Sequence, residues 1–217
     1  MPKKRPRSGK PYVIGVSGRT GSGKSTVVRV LEEKGAAVLE ADLLAHQTYA
    51  PGTDGWREVV DAYGQEVIAP DGTIDRRRLA AIVFDDAHAL ARLNVITHDR
   101  TRQLIEQRLQ ELATQGVEVA VLEAALLFEA SWDDLADEVW VTMAPLAVCA
   151  ERAAEHLGIS REEAMARIER QLPDESRIAR ADVIIDTSGS LLQTQEAADG
   201  EWERLQERLG ADSAAKA

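Results

Sequence analysis

The sequence predicts an α/β fold: a five-stranded parallel sheet covered by helices on both faces. Three observations predict it. Short apolar, β-branched runs recur along the chain, segments of helical periodicity separate them, and no hairpin signal joins any two. The 217 residues suit one domain with an insertion, and a hydrophobic content of 44% supplies a packed core.

Taken in order, Tyr12 to Val16 forms the first strand and ends at Gly18. After a glycine-rich turn, Val27, Val28, Val30 and Leu31 share one face of a helix that Gly35 stops. Ala37 to Leu39 is the second strand, ending at Glu40-Ala41-Asp42. From Leu43 to Gln115 there is no buried-strand pattern. Pro51-Gly52 and Pro70-Asp71-Gly72 punctuate helical segments, Asp75 has the chemistry of an N-cap, and a long polar-faced helix runs through Leu104, Arg108 and Leu112. This stretch reads as a helical insertion over about residues 43–115. Strands return at Val117 to Leu122 and Glu138 to Thr142, and Pro145 falls in the first turn of the next helix. Gly158 ends that helix, and Ser160 to Glu163 is a capping box that starts another. Val183 to Ile185 is the fifth strand, and Leu191, Leu192, Trp202, Leu205 and Leu209 lie on a terminal helix.

The net charge of -11 limits the partners. Five cations, Lys3, Lys4, Arg5, Arg7 and Lys10, sit in the opening ten residues, so the rest of the chain is more acidic still and repels a nucleic-acid backbone. Residues 1–10, with Pro and Gly and no apolar stretch, read as a basic disordered tail. One cysteine, Cys149, excludes an intramolecular disulfide framework and reads as a buried small hydrophobe. With no signal-peptide core and no apolar run of about 18 residues, the expectation is a cytoplasmic protein without a membrane partner.

Gly18-Arg19-Thr20-Gly21-Ser22-Gly23-Lys24-Ser25 fits GxxxxGK[ST] in full, between a predicted strand and a predicted helix. Glycines let the backbone wrap a phosphate chain with its N–H groups inward, and the helix N-terminus adds positive potential there. This is a P-loop NTPase-type site for ATP. Lys24 bridges the terminal phosphates and Ser25 ligates Mg2+ in this reading. Glu123, at the end of a buried strand, is the second candidate magnesium ligand. Asp42, after the second strand, either accepts a proton from an alcohol acceptor or caps the next helix. Arg152, Arg161, Arg167, Arg170, Arg177 and Arg180 follow the fourth strand. Most are expected on solvated faces paired with Glu151, Glu155, Glu162, Glu163 and Glu169, with one or two closing over phosphate charge as a lid.

An ordered set of motifs carries a resemblance: IGVSGRTGSGKST, ending at Thr26, EADLLAH, the PGT at Pro51 to Thr53, DGTIDRRRLAAIVF, ITH ending at His98, LLFE at Leu126 to Glu129, and RADVIIDTSGS. In order and spacing the chain resembles the dephospho-coenzyme A kinase family from about Tyr12 to about Gly189. The resemblance implies ATP-dependent, magnesium-assisted phosphorylation of the 3′-hydroxyl of dephospho-coenzyme A. It also implies a core sheet with a helical substrate domain, and a helical lid at about residues 145–180. It matches Asp42 to the acid at the acceptor hydroxyl, Arg152 to a lid arginine, and His98, Leu126 and Phe128 to the acceptor side. Asp186, Ser188 and Gly189 match the segment near the adenine of ATP. The chain departs from the family at Ala125 and Asp99, where proline is usual, and at His156, where a second lid arginine is usual. Neutral histidine lacks the bidentate fork of arginine. The other readings are a kinase for a different small acceptor, such as a nucleoside or nucleotide, and an inactive nucleotide-binding relative.

Overall fold

The computed structural model describes residues 10–84 and 86–214. All but one residue of the predicted basic tail therefore lie outside the described part. Each apolar run identified above becomes a strand: β1 (Tyr12–Gly18), β2 (Ala37–Glu40), β3 (Val119–Glu123), β4 (Glu138–Met143) and β5 (Val183–Asp186). Among the described residues they form one sheet in the order β2-β3-β1-β4-β5, parallel throughout. Val16 of β1 stands opposite Glu123 of β3, and Gly18 opposite Thr142 of β4, so the carboxyl ends of three strands converge on the first glycine-rich turn. In parallel sheets that is the edge where ligands bind.

The described residues divide into two compact units, residues 10–38 with 112–214, and residues 39–111. In the first, α1 (Lys24–Glu33) and α9 (Leu191–Ala214) cover one face of the sheet. Val27, Val28 and Leu31 of α1, with Ala198, Trp202 and Leu205 of α9, pack on Ile14, Val16, Val121 and Trp140. The alternate strand residues Val13, Ala120, Leu122, Val139 and Val141 are also buried, so both faces are dry and the strands are apolar without alternation. Leu191 and Leu192, placed on this helix as expected, are 57% and 62% exposed, because the buried stripe of α9 begins at Thr194 and Ala198, further along the helix.

One charged group enters the apolar layer and is fully answered there. Glu138, 1% exposed, accepts from the Tyr12 hydroxyl at 2.9 Å and the Trp140 indole at 3.1 Å, and pairs with Arg208 at 2.5 Å. Burial and the neighbouring carboxylate push the Tyr12 hydroxyl well above its ordinary titration range, leaving it protonated as a donor.

Beyond β4 come α6 (Leu146–Leu157), α7 (Arg161–Glu169) and the short α8 (Asp174–Ile178). Pro145 is the N-cap of α6 and lies outside its first turn, since an extended ψ of 140° there precludes helix. Gly158 ends α6 in the left-handed region, and Ser160 and Glu163 form the expected reciprocal capping box of α7. Cys149, Ala150, Ala153, Ala164 and Ile168 make a small-residue core between these helices.

The second unit is helical: α2 (Ala41–Thr48), α3 (Asp54–Tyr63), α4 (Arg76–Phe84) and most of the 28-residue α5 (Ala87–Thr114). Its own core joins Val59, Val60, Tyr63, Val67, Ile74, Leu79 and Ile96. Asp75 caps α4, its carboxylate accepting from the N–H groups of Arg77 and Arg78 at 3.0 and 3.2 Å. α5 runs unbroken through Asp99, so the residue that replaces a proline there keeps a helical backbone.

Candidate functional site

The loop between β1 and α1 is a nest of backbone N–H groups held open by its surroundings. Gly21 adopts φ 78° and Gly23, the N-cap of α1, φ 84°, which side-chain-bearing residues rarely enter. At Gly21 a β-carbon would also stand 2.2 Å from the Cys149 carbonyl oxygen, so loop and α6 touch backbone to backbone. The first turn closes where Ser22 N–H donates to the Arg19 carbonyl at 3.0 Å.

Every side of this loop is braced. The Ser22 and Thr142 hydroxyls lie 2.6 Å apart, and the Thr187 hydroxyl donates to the Ser22 carbonyl at 2.7 Å. Thr187 is fixed in turn by its N–H on the Met143 carbonyl, 2.8 Å away, which ties the back of the loop to the ends of β4 and β5. The Lys24 ammonium donates to the Gly18 and Arg19 carbonyls at 3.0 and 3.1 Å, arching over the turn it follows. The Ser25 hydroxyl donates to Glu123 at 3.4 Å. A hydroxyl beside a carboxylate oxygen is a fitting pair for a hard divalent cation, which needs only one or two protein ligands when phosphates and water supply the rest.

From the front, the segment after α7 holds the loop by side chains. Gln171 accepts from Thr20 N–H at 3.0 Å and donates to the Thr20 hydroxyl at 2.9 Å, while Arg19 and Asp174 pair at 2.5 Å. Arg177 lies behind them and is 0% exposed. Its guanidinium reaches the Leu172 carbonyl, Glu129 at 3.5 Å and Asp174 at 3.9 Å, and burial lowers its pKa against the pull of those carboxylates. Arg180 pairs with Asp133 at 2.6 Å and stacks 4.5 Å from the centre of the Phe128 ring. Of the six arginines, Arg177 departs from the solvated face expected of most of them, and Arg180 is solvated but pairs with an aspartate instead of a helical glutamate. Buried Arg177 is met by Glu129, from a distant turn, and by Asp174 three residues earlier on α8, while Arg180 stays exposed and pairs with the distant Asp133.

The other predicted residues divide as follows. Arg152, on α6, is part-buried and donates to the Thr187 carbonyl at 3.0 Å, one residue from Asp186 and Ser188. Asp186 and Ser188 form a local turn, with Ser188 N–H donating to the carboxylate at 2.8 Å and holding the Asp186 pKa down. Gly189 and its neighbours lead into α9. Phe128 is buried under Arg180, whereas Leu126 is 39% exposed. His156 is exposed in the last turn of α6.

In the helical unit, Asp42 lies in the first turn of α2, exposed and with no hydrogen-bond partner among the described residues. The N-cap position belongs to Glu40, which makes no side-chain cap bond, so Asp42 is not the cap. His98, on α5, is half-buried, and burial lowers its pKa despite adjacent Asp99. Residues that the sequence reading passed over are Thr142, Gln171, Asp174 and Thr187. Only Thr187 carried a signal, lying within the DTSGS turn; the others meet the loop through tertiary packing alone.

Residues 12–193 match the family model described as dephospho-CoA kinase. The chain is 46% identical over 178 residues to a dephospho-CoA kinase of Geobacter sulfurreducens, covering 82% of this chain and 90% of that one. It is 40% identical over 202 residues to the dephospho-CoA kinase of Moorella thermoacetica, covering 93% and 95%. Among solved structures, TT1252 from Thermus thermophilus superimposes with a TM-score of 0.77 at 33% identity, covering 90% of this chain and 97% of that chain. A shikimate kinase from Acinetobacter baumannii, at 15% identity and TM-score 0.51 over 91% and 94% of the two chains, shares the fold.

Proposed function

The chain belongs to the dephospho-CoA kinase family, and from that premise we propose that it phosphorylates the 3′-hydroxyl of dephospho-coenzyme A with ATP, giving coenzyme A and ADP. The observation that carries this reading is the family match over residues 12–193, laid on a phosphate loop that is braced on every side. No helix among the described residues is long and apolar enough to cross a membrane. A cytoplasmic location belongs to the proposal, as do an acceptor-binding insertion at about residues 43–115 and a lid at about 145–180.

In this mechanism the loop from Gly18 to Thr26 grips the triphosphate through those of its N–H groups not already given to Arg19, Gly23 or Gln171, and the Lys24 ammonium leaves its loop carbonyls for the terminal phosphates. Ser25 and Glu123 would hold Mg2+, which neutralises charge on the phosphate oxygens. The acceptor 3′-oxygen attacks the γ-phosphorus in line, the bond to the β-phosphate oxygen breaks, and ADP departs. The hydroxyl proton passes to Asp42, whose exposed carboxylate, with no hydrogen-bond donor on it among the described residues, suits that role. Arg152, anchored on the Thr187 carbonyl, stabilises charge on the transferring group. Asp186, Ser188 and Gly189 are assigned to the adenine end of ATP, and His98, Leu126 and Phe128 to the acceptor.

An acceptor panel tests the proposal. Purified chain with magnesium and ATP, followed by ADP release, should give a kcat/KM for dephospho-CoA at least about 10²-fold above that for adenosine or AMP, a discrimination within reach of specific polar contacts. Preference for a nucleoside or nucleotide would replace the acceptor. Tight ATP binding with no ADP release on any acceptor would mark an inactive relative.

A further inference from the structure

We propose that Arg76, seated against His46, is an anion subsite for the diphosphate on the 5′ side of the acceptor ribose; the inference rests on the function proposed above and deepens it. All the residues concerned lie within the helical unit. Asp42 and His46 are four residues apart on α2, and such positions share one helix face. Arg76 opens α4, and its Nη1 lies 3.0 Å from Nδ1 and 3.3 Å from Nε2 of His46, a pair of distances that places it over the imidazole face. The Tyr49 ring stands edge-on to His46, with centroids 5.8 Å apart, and backs it from the next turn. Burial, and then the Arg76 charge, lower the His46 pKa against the opposite pull of Asp42, which favours an uncharged ring whose face seats the guanidinium without cancelling its charge.

Three other arginines of the unit are neutralised, whereas Arg77 and Arg92, like Arg76, have no carboxylate within ion-pair reach among the described residues. Arg57 pairs with Asp54 at 2.5 Å, Arg78 with Asp75 at 3.2 Å and Arg100 with Glu58 at 2.7 Å. Arg76 has no carboxylate partner among the described residues, although Asp75 precedes it. It also sits at the positive end of the α4 dipole, where a cation is disfavoured and an anion welcome. A guanidinium held in place, left uncompensated and set at a helix N-terminus is arranged for phosphate oxygens, which it meets with two parallel donors.

The spacing fits one ligand. A ribose bearing a 5′-diphosphate presents its 3′-oxygen and its first phosphate on opposite sides of the ring, a separation comparable to one helical turn of about 5.4 Å. With the 3′-hydroxyl at Asp42, the diphosphate falls one turn along, where His46 presents Arg76. In the family reaction this gives Arg76 the task of holding the acceptor, and leaves transfer itself to other groups.

The test is a kinetic comparison of the unmodified full-length chain with Arg76→Gln, Arg76→Lys and His46→Ala, each checked for folding by thermal melting. With dephospho-CoA, Arg76→Gln should raise the acceptor KM about 10- to 100-fold, the scale of losing charge-assisted hydrogen bonds, while the KM for ATP stays unchanged. Arg76→Lys should recover part of the loss, and His46→Ala should cost less than Arg76→Gln. Adenosine, followed as an acceptor or as a competitor of dephospho-CoA, lacks the diphosphate and should be indifferent to all three changes. An equal penalty with adenosine, or none with dephospho-CoA, overturns the subsite while leaving the function intact. An unmodified chain that never phosphorylates dephospho-CoA removes both.

Discussion

The phosphate loop and the acceptor-side helices hold their functional groups in opposite ways. In the loop, Thr20 is gripped by Gln171, Ser22 by Thr142 and Thr187, and Gly21 lies against the α6 backbone. On α2 and α4, Asp42 is exposed and makes no hydrogen bond among the described residues, and Arg76 rests on His46 with no carboxylate partner among them. Donor recognition is therefore built into backbone conformation, where no single side chain can be exchanged without disturbing its neighbours. In the proposed function acceptor recognition falls instead to exposed side chains on the faces of α2 and α4. Substitutions should separate along this line: loop changes strike ATP, and helix changes strike the acceptor or the chemistry while ATP binds as before.

The largest expected effect is at Lys24. Lys24→Ala removes the one side-chain cation of the loop that follows its glycines, and kcat/KM should fall about 10³-fold, the scale of losing a preorganised electrostatic contact to a transferring phosphoryl group. Asp42→Asn should lower kcat about 10²-fold, within the range of general-base catalysis, with the Kd for magnesium-ATP unchanged in equilibrium titration. Weakened ATP binding in Asp42→Asn would blur the division. A Lys24→Ala enzyme within tenfold of the original would break it.

A smaller effect sharpens the same division at the loop's front. Gln171 is a positioning residue, since it reaches Thr20 through both its oxygen and its nitrogen. Gln171→Ala should raise the KM for ATP roughly tenfold, the equivalent of about 1.4 kcal/mol, and leave the KM for dephospho-CoA alone. A purely structural role would instead lower the melting temperature without favouring one substrate's KM.

The same asymmetry decided what the sequence made legible. The sheet, the loop and the capping box at Ser160 were readable because apolar runs, glycines and short-range caps act over a few residues. β3 begins at Val119, two residues after the expected start, because the backbone at Val117 instead returns a hydrogen bond to Leu112 at the end of α5. Asp42 was legible as an acid after a strand, but its freedom from a capping role depends on where α2 starts, which Glu40 decides. Gln171 and Asp174 were illegible. They lie about 150 residues from the loop they hold, in a stretch whose composition resembles any solvated helix end. The burial of Arg177 was illegible for the same reason, since Glu129, which meets it there, is 48 residues away.

The smallest effect divides the two units by pH. In residues 39–111, His46 and His98 both titrate below the ordinary histidine value of 6.5, chiefly because burial disfavours their charged forms. The unfolded chain therefore binds more protons than the native one once pH falls below 6.5. The stability these groups lend is fully present above that value and is lost as pH drops through their depressed native pKa values. The exposed carboxylates whose pKa values are also held down, Asp71, Asp86 and Glu111, act only below their ordinary values of 3.8 and 4.5, outside this window. Hydrogen exchange at pH 7 and at pH 5, corrected for intrinsic rates, should show protection falling in residues 39–111 while β1, β3 and β4 keep theirs. Replacing His46 and His98 together by asparagine should flatten the response. Equal loss of protection across both units would mean that acid acts on the whole chain, and the separate titration of the acceptor-side helices would fall.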